Sequence, residues 1–267
     1  MTTLTAEALR RHHVPPGSMT IWWLGQAGFL IKSPAGKLIA LDPYLSNSCK
    51  SLGERFGFDM DRLVPPPILP RDLVGIDLYV LTHSHQDHLD PETLEAYRTA
   101  GGTGPFLAPP ETVEKLHALG VPEVLTHMIW PNRCFELGDL MLRATLSIPT
   151  GGDDLTHVGY LIRVQDGPTS YFTGDTAYHE ILGLSVGEHR PDVVVTVVNG
   201  GFRNMGPAEA ARLIKQIDPK VAIPCHHDLF RDNVQPPQMF RANLRLLGID
   251  RTYRLLEHGR AYTFPEG

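Results

Sequence analysis

Four side chains of the kinds that bind metal ions lie close together in the run His83-Ser84-His85-Gln86-Asp87-His88. Imidazole nitrogen and carboxylate oxygen are ligands of zinc and similar cations, and a catalytic site leaves one position open for water. On a turn, His83 and His85 can point one way while Asp87 and His88 point another, which suits two neighbouring ions about 3.5 to 4 Å apart. The run therefore predicts a centre for one or two divalent metal ions.

Further ligand-type side chains stand at the ends of two apolar runs. Asp175 follows one such run and Gly174, whose conformational freedom permits a sharp turn, so its carboxylate suits a ligand that bridges two ions. His226 and His227 end the other run, and at least one of them is expected to bind metal. Cys225 alternates to the opposite face of that strand and is interpreted as a core residue.

Local patterns predict the elements that position these residues. Residues 77–82 form an apolar strand before the histidine run, and Asp90-Pro91 predicts a helix over 91–97, so the histidines lie on a strand-to-helix turn. Residues 44–76, with three consecutive prolines and little periodicity, predict a long loop over the site. An antiparallel meander is predicted at 20–24, 28–32 and 37–41, further strands at 139–148, 158–164, 169–173, 192–198 and 220–223, and further helices at 207–217 and 236–247.

Composition favours one catalytic domain. The 267 residues are 42% hydrophobic, enough to bury a substantial core. We expect residues 1–18 to form an N-terminal arm, with a helix over 5–13 that the prolines at 15 and 16 end, and residues 19–267 to form a single domain.

The remaining histidines are interpreted as surface or structural residues without nearby partners: His12, His13, His117, His127, His189 and His258.

Charge and cysteine content limit the partners and the compartment. The net charge is −6 and the basic residues are scattered, which predicts no nucleic-acid partner and no binding to an anionic membrane surface. Three cysteines are too few for a disulfide framework, so we expect a cytoplasmic protein. No apolar run is long enough to span a bilayer, which predicts a soluble protein acting on a small-molecule substrate.

The order His83-x-His85-x-Asp87-His88, then Gly174-Asp175, then His226 resembles the metallo-β-lactamase fold superfamily. Within it, Trp22-Trp23-Leu24-Gly25, Thr82-His83 and the run 223–228 are most similar to the L-ascorbate-6-phosphate lactonase group. The resemblance covers the chain from about Thr20 to its C-terminus. It implies an α/β fold, an αββα four-layer sandwich with the metal site at one edge, and it suggests a homo-oligomer.

The resemblance also implies which residues hold the metal ions. The implied ligands are His83, His85, Asp87, His88, Asp175 and His226. His227 then lies beside a ligand. We expect zinc or manganese, with iron as a further candidate, and the tighter ion in the half that contains Asp87 and His88.

One superfamily ligand, a histidine in a Gly-His-Thr turn, is missing from this chain. Aligning residues 150–157 with that turn without gaps places Asp153 at the ligand position and His157 at a later, non-ligand histidine. An aspartate there would favour manganese, iron or magnesium relative to zinc. Asp154, His157 or no protein ligand at all remain alternatives to Asp153.

Other residues near strand ends are weaker candidates. Asp42 either hydrogen-bonds a ligand histidine or caps a turn. Tyr44, Tyr178, Asn199 and Arg203 follow predicted strands or lie near the ligands, where loops reach a substrate, and a structural role is the alternative for each.

The implied reaction is hydrolysis of a strained ester, a lactone of a sugar acid or sugar-acid phosphate. A metal centre of this kind lowers the pKa of bound water to about 7 and supplies hydroxide at neutral pH. Asp87 is the catalytic candidate, orienting the nucleophile or carrying its proton to the leaving alkoxide. A metal-dependent phosphodiesterase is the first alternative, and a non-catalytic metal-binding or sensor protein is the second. No phosphate-binding Arg or Lys can be assigned from the sequence.

Overall fold

The computed structural model describes residues 4–149 and 154–266, so Asp153 lies outside the described residues. The strands are β1 (Met19–Gly25), β2 (Gly28–Lys32), β3 (Leu38–Leu41), β4 (Leu78–Val80), β5 (Phe106–Ala108), β6 (Thr126–Met128), β7 (Cys134–Leu137), β8 (Leu140–Leu146), β9 (Val158–Val164), β10 (Thr169–Phe172), β11 (Val193–Val197), β12 (Val221–Cys225) and β13 (Ala261–Phe264). The helices are α1 (Ala6–Arg11), α2 (Cys49–Phe56), α3 (Pro91–Thr99), α4 (Pro110–Ala118), α5 (Glu180–Gly187), α6 (Pro207–Ile217) and α7 (Pro237–Leu246).

The strands form two mixed sheets. The first has the order β13-β1-β2-β3-β4-β5-β6, and the second has the order β12-β11-β10-β9-β8-β7. The predicted meander β1-β2-β3 is antiparallel, whereas β3, β4, β5 and β6 run parallel. In the second sheet β10, β11 and β12 are also parallel. Segments that follow parallel strands therefore leave each sheet at the same edge.

All residues of β1 are buried, but successive side chains point into two different core clusters, which shows how the layers stack. Ile21 and Trp23 belong to the core between the two sheets, where the rings of Phe29 and Phe172 meet at 5.2 Å. The intervening Trp22 belongs to a second cluster on the outer face of the first sheet, together with side chains of α3 and α4. Residues of α5, α6 and α7 extend the first cluster beyond the second sheet. Helices thus cover both sheets, and the predicted αββα sandwich is confirmed.

The N-terminal helix is fastened to the body at its C-terminal end. Lys32 Nζ donates hydrogen bonds to the carbonyl oxygens of Leu9, Arg10 and His12, at 2.6, 2.9 and 2.8 Å. These bonds satisfy carbonyls that the helix itself leaves unpaired. Leu9 is buried in the second cluster. The division of the chain at residues 18 and 19 stays a prediction.

The predicted loop at 44–76 is partly wrong, because it contains α2 and a 3-10 turn at Pro70–Leu73. Helix α2 is eight residues long and carries Gly53 in its interior, a residue that disfavours helix, so its signal is weak. The other elements missed from the sequence are mostly short: β5, β6, β7, β13, α4 and α5. None of the helices within the described ranges is long and apolar enough to cross a membrane.

Candidate metal centre

The histidine run lies on the predicted turn between β4 and α3. The backbone N–H groups of His88 and Leu89 both donate to the carbonyl of His85, at 3.0 and 2.8 Å. Asp90 caps α3 by accepting a hydrogen bond from the backbone N–H of Glu92 at 3.2 Å, and Pro91 occupies the first turn of the helix. A short turn between two fixed elements therefore presents all four ligand-type side chains.

The first ligand group contains His83, His85 and His157, whose ligand atoms lie within 4.8 Å of one another. His83 Nε2 is 2.9 Å from His85 Nδ1. His157 Nδ1 lies 3.2 Å from the carbonyl oxygen of Asp175, which can only accept, so Nδ1 carries the hydrogen and Nε2 keeps its lone pair. His157 is held here because the neighbouring Val158 N–H donates to the carbonyl of Thr82 at 3.0 Å.

The ungapped alignment placed Asp153 at the ligand position and His157 at a non-ligand position, and Asp153 lies outside the described residues. The structure groups His157 with His83 and His85, as one of the alternatives allowed. Asp154 does not join the group. Its carboxylate accepts from the backbone N–H of Ser84 and of Thr156, both at 2.8 Å, and so fastens the loop beside the histidine run.

The second ligand group contains Asp87, His88 and His226, again with ligand atoms within 4.8 Å of one another. His226 Nε2 lies 3.2 Å from Asp87 Oδ2, and His88 Nε2 lies 3.8 Å from the same oxygen. His226 directly follows β12, so the second sheet contributes this ligand while the first sheet contributes the other two.

Asp175 lies between the two groups. It clusters with His83 and His88, its Oδ1 is 3.3 Å from His88 Nε2, and its Oδ2 is 3.3 Å from His226 Nε2. The glycine before it is required, because Gly174 has φ +59° and a Cβ there would lie 2.8 Å from the carbonyl oxygen of Val158. Asp175 therefore lies within reach of both groups, and its role as a bridging ligand stays a prediction.

Asp42 hydrogen-bonds the ring nitrogen of His88 that points away from Asp87 and Asp175. Its Oδ2 is 2.8 Å from His88 Nδ1, and its carboxylate also accepts from the backbone N–H of Thr82 at 2.8 Å and from the Thr82 hydroxyl. An Nδ1–H donated to a carboxylate leaves Nε2 directed at Asp87 and Asp175, which is how proteins orient metal-ligating histidines. Of the two interpretations of Asp42, the structure therefore shows the hydrogen bond to a histidine.

Several amides that the sequence reading missed contact the acidic ligands and His226. Gln26 Nε2 donates to Asp87 Oδ2 at 2.9 Å and lies 3.2 Å from His226 Nδ1. Asn233 Nδ2 is 3.1 Å from His226 Nδ1, and the predicted Asn199 donates to Asn233 at 3.1 Å. Asn199 thus contacts the centre only through another amide. The missed Asn204 donates to Asp175 Oδ2 at 2.6 Å.

His227 packs beside the centre and belongs to none of the ligand groups found among the described residues. Its ring lies 4.8 Å from that of Trp23, and its Nδ1 is 3.1 Å from Asp228 Oδ2. The ring of His258 also lies against the Trp23 indole, with the ring centroids 4.1 Å apart. The expectation that His258 has no nearby partner is therefore wrong. An indole held by two imidazoles therefore supports the turn that carries His226.

The remaining predicted residues divide between the core and the cavity. Tyr44 is fully buried, and its hydroxyl accepts from the backbone N–H of Cys49 at 3.2 Å, a structural role. Tyr178 packs against the main core and does not line the cavity beside the centre. Arg203 does line that cavity. Cys225 is buried in the main core, which confirms its interpretation as a core cysteine.

Three residues of the centre have left-handed backbones although none is glycine. Their φ angles are +51° at Gln26, +44° at Asp42 and +59° at His226. This conformation costs non-glycine residues free energy and persists where the surroundings impose it, often at functional sites. Its concentration here indicates that the local structure is built to aim these side chains.

Burial and mutual charge shift the pKa values of the centre in opposite directions. Burial would raise the pKa of Asp175, but positive charge on His226 and His88 outweighs it and holds the pKa far below the usual value. Burial would lower the pKa of His226, but Asp175 and Asp87 raise it to about 9. In the first group, burial lowers the pKa of His83 well below its usual value, and the neighbouring histidines lower it further.

The residues fit divalent cations. Three buried atoms of the ligand groups make no hydrogen bond of good geometry within residues 4–149 and 154–266: His88 Nε2, His157 Nε2 and Asp175 Oδ1. Buried polar atoms are normally paired, and these three belong to the ligand groups. Imidazole and carboxylate donors of this kind bind zinc, manganese and iron.

A cavity of about 730 Å³ opens onto the centre. Its polar and charged lining residues are His85, Gln86, Asp87, Lys115, Asp175, Arg203, His226 and Asn233. Its apolar lining residues and glycine are Cys49, Leu52, Gly53, Phe56, Phe58, Met60 and Phe202. Lys115, which lies on α4, donates to the carbonyl of Ser84 at 2.5 Å and was not identified from the sequence.

Comparisons with known proteins agree with this geometry. The family model described as a beta-lactamase superfamily domain matches residues 20–226. A UPF0173 metal-dependent hydrolase from Herpetosiphon aurantiacus is 30% identical over 92% of this chain and 98% of its own. A protein of Escherichia coli named probable L-ascorbate-6-phosphate lactonase is 27% identical over 88% of this chain and 77% of its own.

A solved structure shows the same fold. The metallo-beta-lactamase fold protein YhfI from Bacillus subtilis has a TM-score of 0.66 and 17% sequence identity, covering 92% of this chain and 99% of its own. The predicted superfamily is thereby confirmed. The chain belongs to the β-lactamase superfamily and is a metal-dependent hydrolase of the metallo-β-lactamase fold.

Proposed function

We propose that this hydrolase opens a lactone ring. The observation that carries the proposal is the cavity, which exposes Asp87, Asp175 and His226 on one side while leaving room for a small cyclic ester. The resemblance to a protein named as a probable lactonase supports the same reaction class. Hydrolysis of a lactone needs a nucleophilic oxygen and a stabilised oxyanion, and both are functions that a metal centre performs.

We further propose two metal ions. His83, His85 and His157 would hold one ion, and Asp87, His88 and His226 the other, with Asp175 between them. A group of three imidazoles suits zinc, whereas a group with carboxylates also suits manganese and iron. When bound, such ions supply a hydroxide at neutral pH and stabilise negative charge on a carbonyl oxygen.

Within the chain itself, Asp87 is the residue proposed to handle the proton. Burial would raise its pKa, but positive charge on His88 and a hydrogen bond from His226 lower it well below the usual value, so it is ionised at neutral pH. Gln26 fixes one carboxylate oxygen by its 2.9 Å hydrogen bond. The carboxylate accepts a proton from the attacking water and passes it to the alkoxide that leaves when the ring opens.

The cavity also contains positive charge for the acidic part of a substrate or product. Lys115 and Arg203 line it beside the ligand groups. Ring opening produces a carboxylate, which these cations would attract. The resemblance implies a sugar-acid lactone, and a carboxylate or phosphate on such a substrate would meet the same two cations, but these cations attract the ring-opened product of any lactone equally.

The test is turnover by metal-loaded protein on a panel of small lactones beside a chromogenic phosphodiester. We expect lactone hydrolysis that a chelator removes and that added metal restores. Hydrolysis of the phosphodiester alone would contradict the lactonase proposal and favour the phosphodiesterase. Metal binding without turnover of either substrate class would favour the non-catalytic alternative.

A further inference from the structure

One face of α2 is turned toward the cavity. Cys49, Leu52, Gly53 and Phe56 follow the i, i+3, i+4, i+7 spacing of a single helix face, and all four line the cavity. The residues between them are Lys50, Ser51, Glu54 and Arg55. The apolar face of such a helix ordinarily packs on a protein core. Cys49 and Gly53 are buried, and Cys49 packs in a small core cluster, whereas Phe56 is 71% exposed, so the Phe56 end of this face is accessible to a ligand.

Three side chains outside the helix extend this apolar surface. Phe58, Met60 and Phe202 line the same cavity, and the rings of Phe58 and Phe202 meet edge to face at 5.5 Å. Phe58 is 44% exposed and Phe202 is 48% exposed. We call the surface formed by Cys49, Leu52, Gly53, Phe56, Phe58, Met60 and Phe202 the apolar wall.

The apolar wall is held in place from several directions. Gly53 permits close packing, because a Cβ at this position would lie 2.6 Å from Met60 Cγ and 2.7 Å from the carbonyl oxygen of Phe58. Lys50 pairs with Asp61 at 2.8 Å across the same turn. A surface fixed in this way can select the shape of a ligand.

The apolar wall and residues of the ligand groups line the same cavity. A hydroxyl or phosphate placed against it would lose its hydrogen bonds to water without gaining others, which costs free energy. An alkyl or aryl group placed there would gain from leaving water. We infer that the preferred substrate is a lactone with an apolar substituent that packs on the apolar wall, an inference that rests on the proposed lactonase function.

The test compares γ-lactones with unbranched side chains of increasing length against the polyhydroxylated lactone of gulonic acid. Each buried methylene is expected to raise kcat/KM about fourfold until the apolar wall is covered. The gulonic acid lactone is expected to be the poorest substrate. Constant kcat/KM along the series, or a preference for the gulonic acid lactone, would overturn the inference.

Variants connect that preference to the apolar wall. Phe58→Ala and Phe202→Ala are expected to lower kcat/KM for the longest lactone by roughly tenfold each, to lower kcat/KM for the unsubstituted lactone by much less, and to leave the metal content unchanged. Leu246→Ala, at a residue of α7 that is 84% exposed, is the matched control and should change none of these quantities. Equal losses on short and long lactones would contradict a role in selecting the side chain.

Binding of the hydroxy-acid products separates this inference from the proposed function. Calorimetry on metal-loaded protein should give affinities that rise with side-chain length and that fall in Phe58→Ala. This result would support binding of the apolar substituent at the apolar wall even if no lactone were hydrolysed. In that case only the proposed reaction would fail. Affinities independent of length would overturn the inference even if short lactones were hydrolysed.

Discussion

The two sides of the cavity are built by different means. On the ligand side, polar atoms are oriented by other polar atoms, as Asp42 orients His88 and Gln26 orients Asp87. On the apolar wall, position depends on packing, with Gly53 admitting the segment that carries Phe58 and Met60. We propose that the ligand side determines whether a lactone is hydrolysed, whereas the apolar wall determines which lactone is preferred. Substitutions should therefore separate turnover from selectivity.

The largest effect is expected from removing a ligand. His88→Ala and Asp175→Ala should each lower kcat/KM for every lactone by about a thousandfold or more, because charge stabilisation and the nucleophile both depend on bound metal. Elemental analysis of each variant should show loss of metal, and Asp175→Asn tests the charge while keeping the side-chain shape. Normal hydrolysis by metal-free His88→Ala protein would refute the account of the ligand side.

A smaller effect, on metal affinity, is expected from substituting Asp42, which hydrogen-bonds His88. Asp42→Asn keeps the shape of the side chain but weakens the acceptor for His88 Nδ1, and substitutions of this kind cost about 10-fold to 100-fold in metal affinity. Competition with a chelator of known affinity measures the change. Asp250→Asn is the control, because Asp250 pairs with Arg245 at an exposed site. Equal affinities in the two variants would show that Asp42 does not tune the centre.

The two ligand groups should respond differently to pH. The pKa of His226 is raised to about 9, so in the metal-free protein this ring keeps its proton at pH 7 and loses it as pH rises through 9. Metal must displace that proton. Burial would lower the pKa of His88, but the neighbouring carboxylates of Asp175, Asp87 and Asp42 raise it well above its usual value, so the affinity of the second group should rise at least about tenfold per pH unit between 7 and 9. The pKa values of His83 and His157 are lowered chiefly by burial, so the first group should show no such rise over this range.

Calorimetric titration in buffers of different ionisation enthalpy counts the protons released on metal binding. We expect proton release at pH 7 on filling the second group and progressively less as pH approaches 9. Proton release from neither group at pH 7 would contradict the charge balance described for Asp175 and His226.

The smallest effect is expected from tightening the packing behind the apolar wall. Gly53→Ala should lower the free energy of unfolding by about 1 to 3 kcal/mol and kcat/KM for long lactones by about threefold to tenfold, because the new Cβ displaces Met60. Metal content should not change. Gly187→Ala, at the end of α5 with no atom within 4 Å of the added Cβ, is the matched control. Loss of metal in Gly53→Ala would show that the two sides are coupled.

The two sides also differ in how far they could be predicted from sequence. The fold and the main ligand-type residues were identifiable because His83, Asp175 and His226 follow apolar runs, and parallel strands bring their ends to one edge. The proximity of His157 to His83 and His85 could not be predicted from an ungapped alignment, because it depends on the hydrogen bond from Val158 N–H to the Thr82 carbonyl. Gln26 was missed because it stands in an ordinary-looking turn whose left-handed backbone is visible only in three dimensions.

The apolar wall was missed for a different physical reason. Its residues lie in a short helix interrupted by glycine, in the segment after it and near Phe202, which are far apart along the chain. Apolar residues on a helix face normally indicate contact with a core, and only the packing shows that this face borders a cavity. The proposed substrate selectivity could therefore be inferred only from the tertiary structure, whereas the main ligand-type residues could be predicted from the sequence.

Anomalous diffraction from crystals of the untreated protein, collected on either side of the metal absorption edges, tests the central claim most directly. We predict two peaks, one among His83, His85 and His157 and the other among Asp87, His88 and His226, with Asp175 adjacent to both. The edges would also identify each metal. No peak in the metal-replete protein, or peaks only outside these groups, would contradict the account.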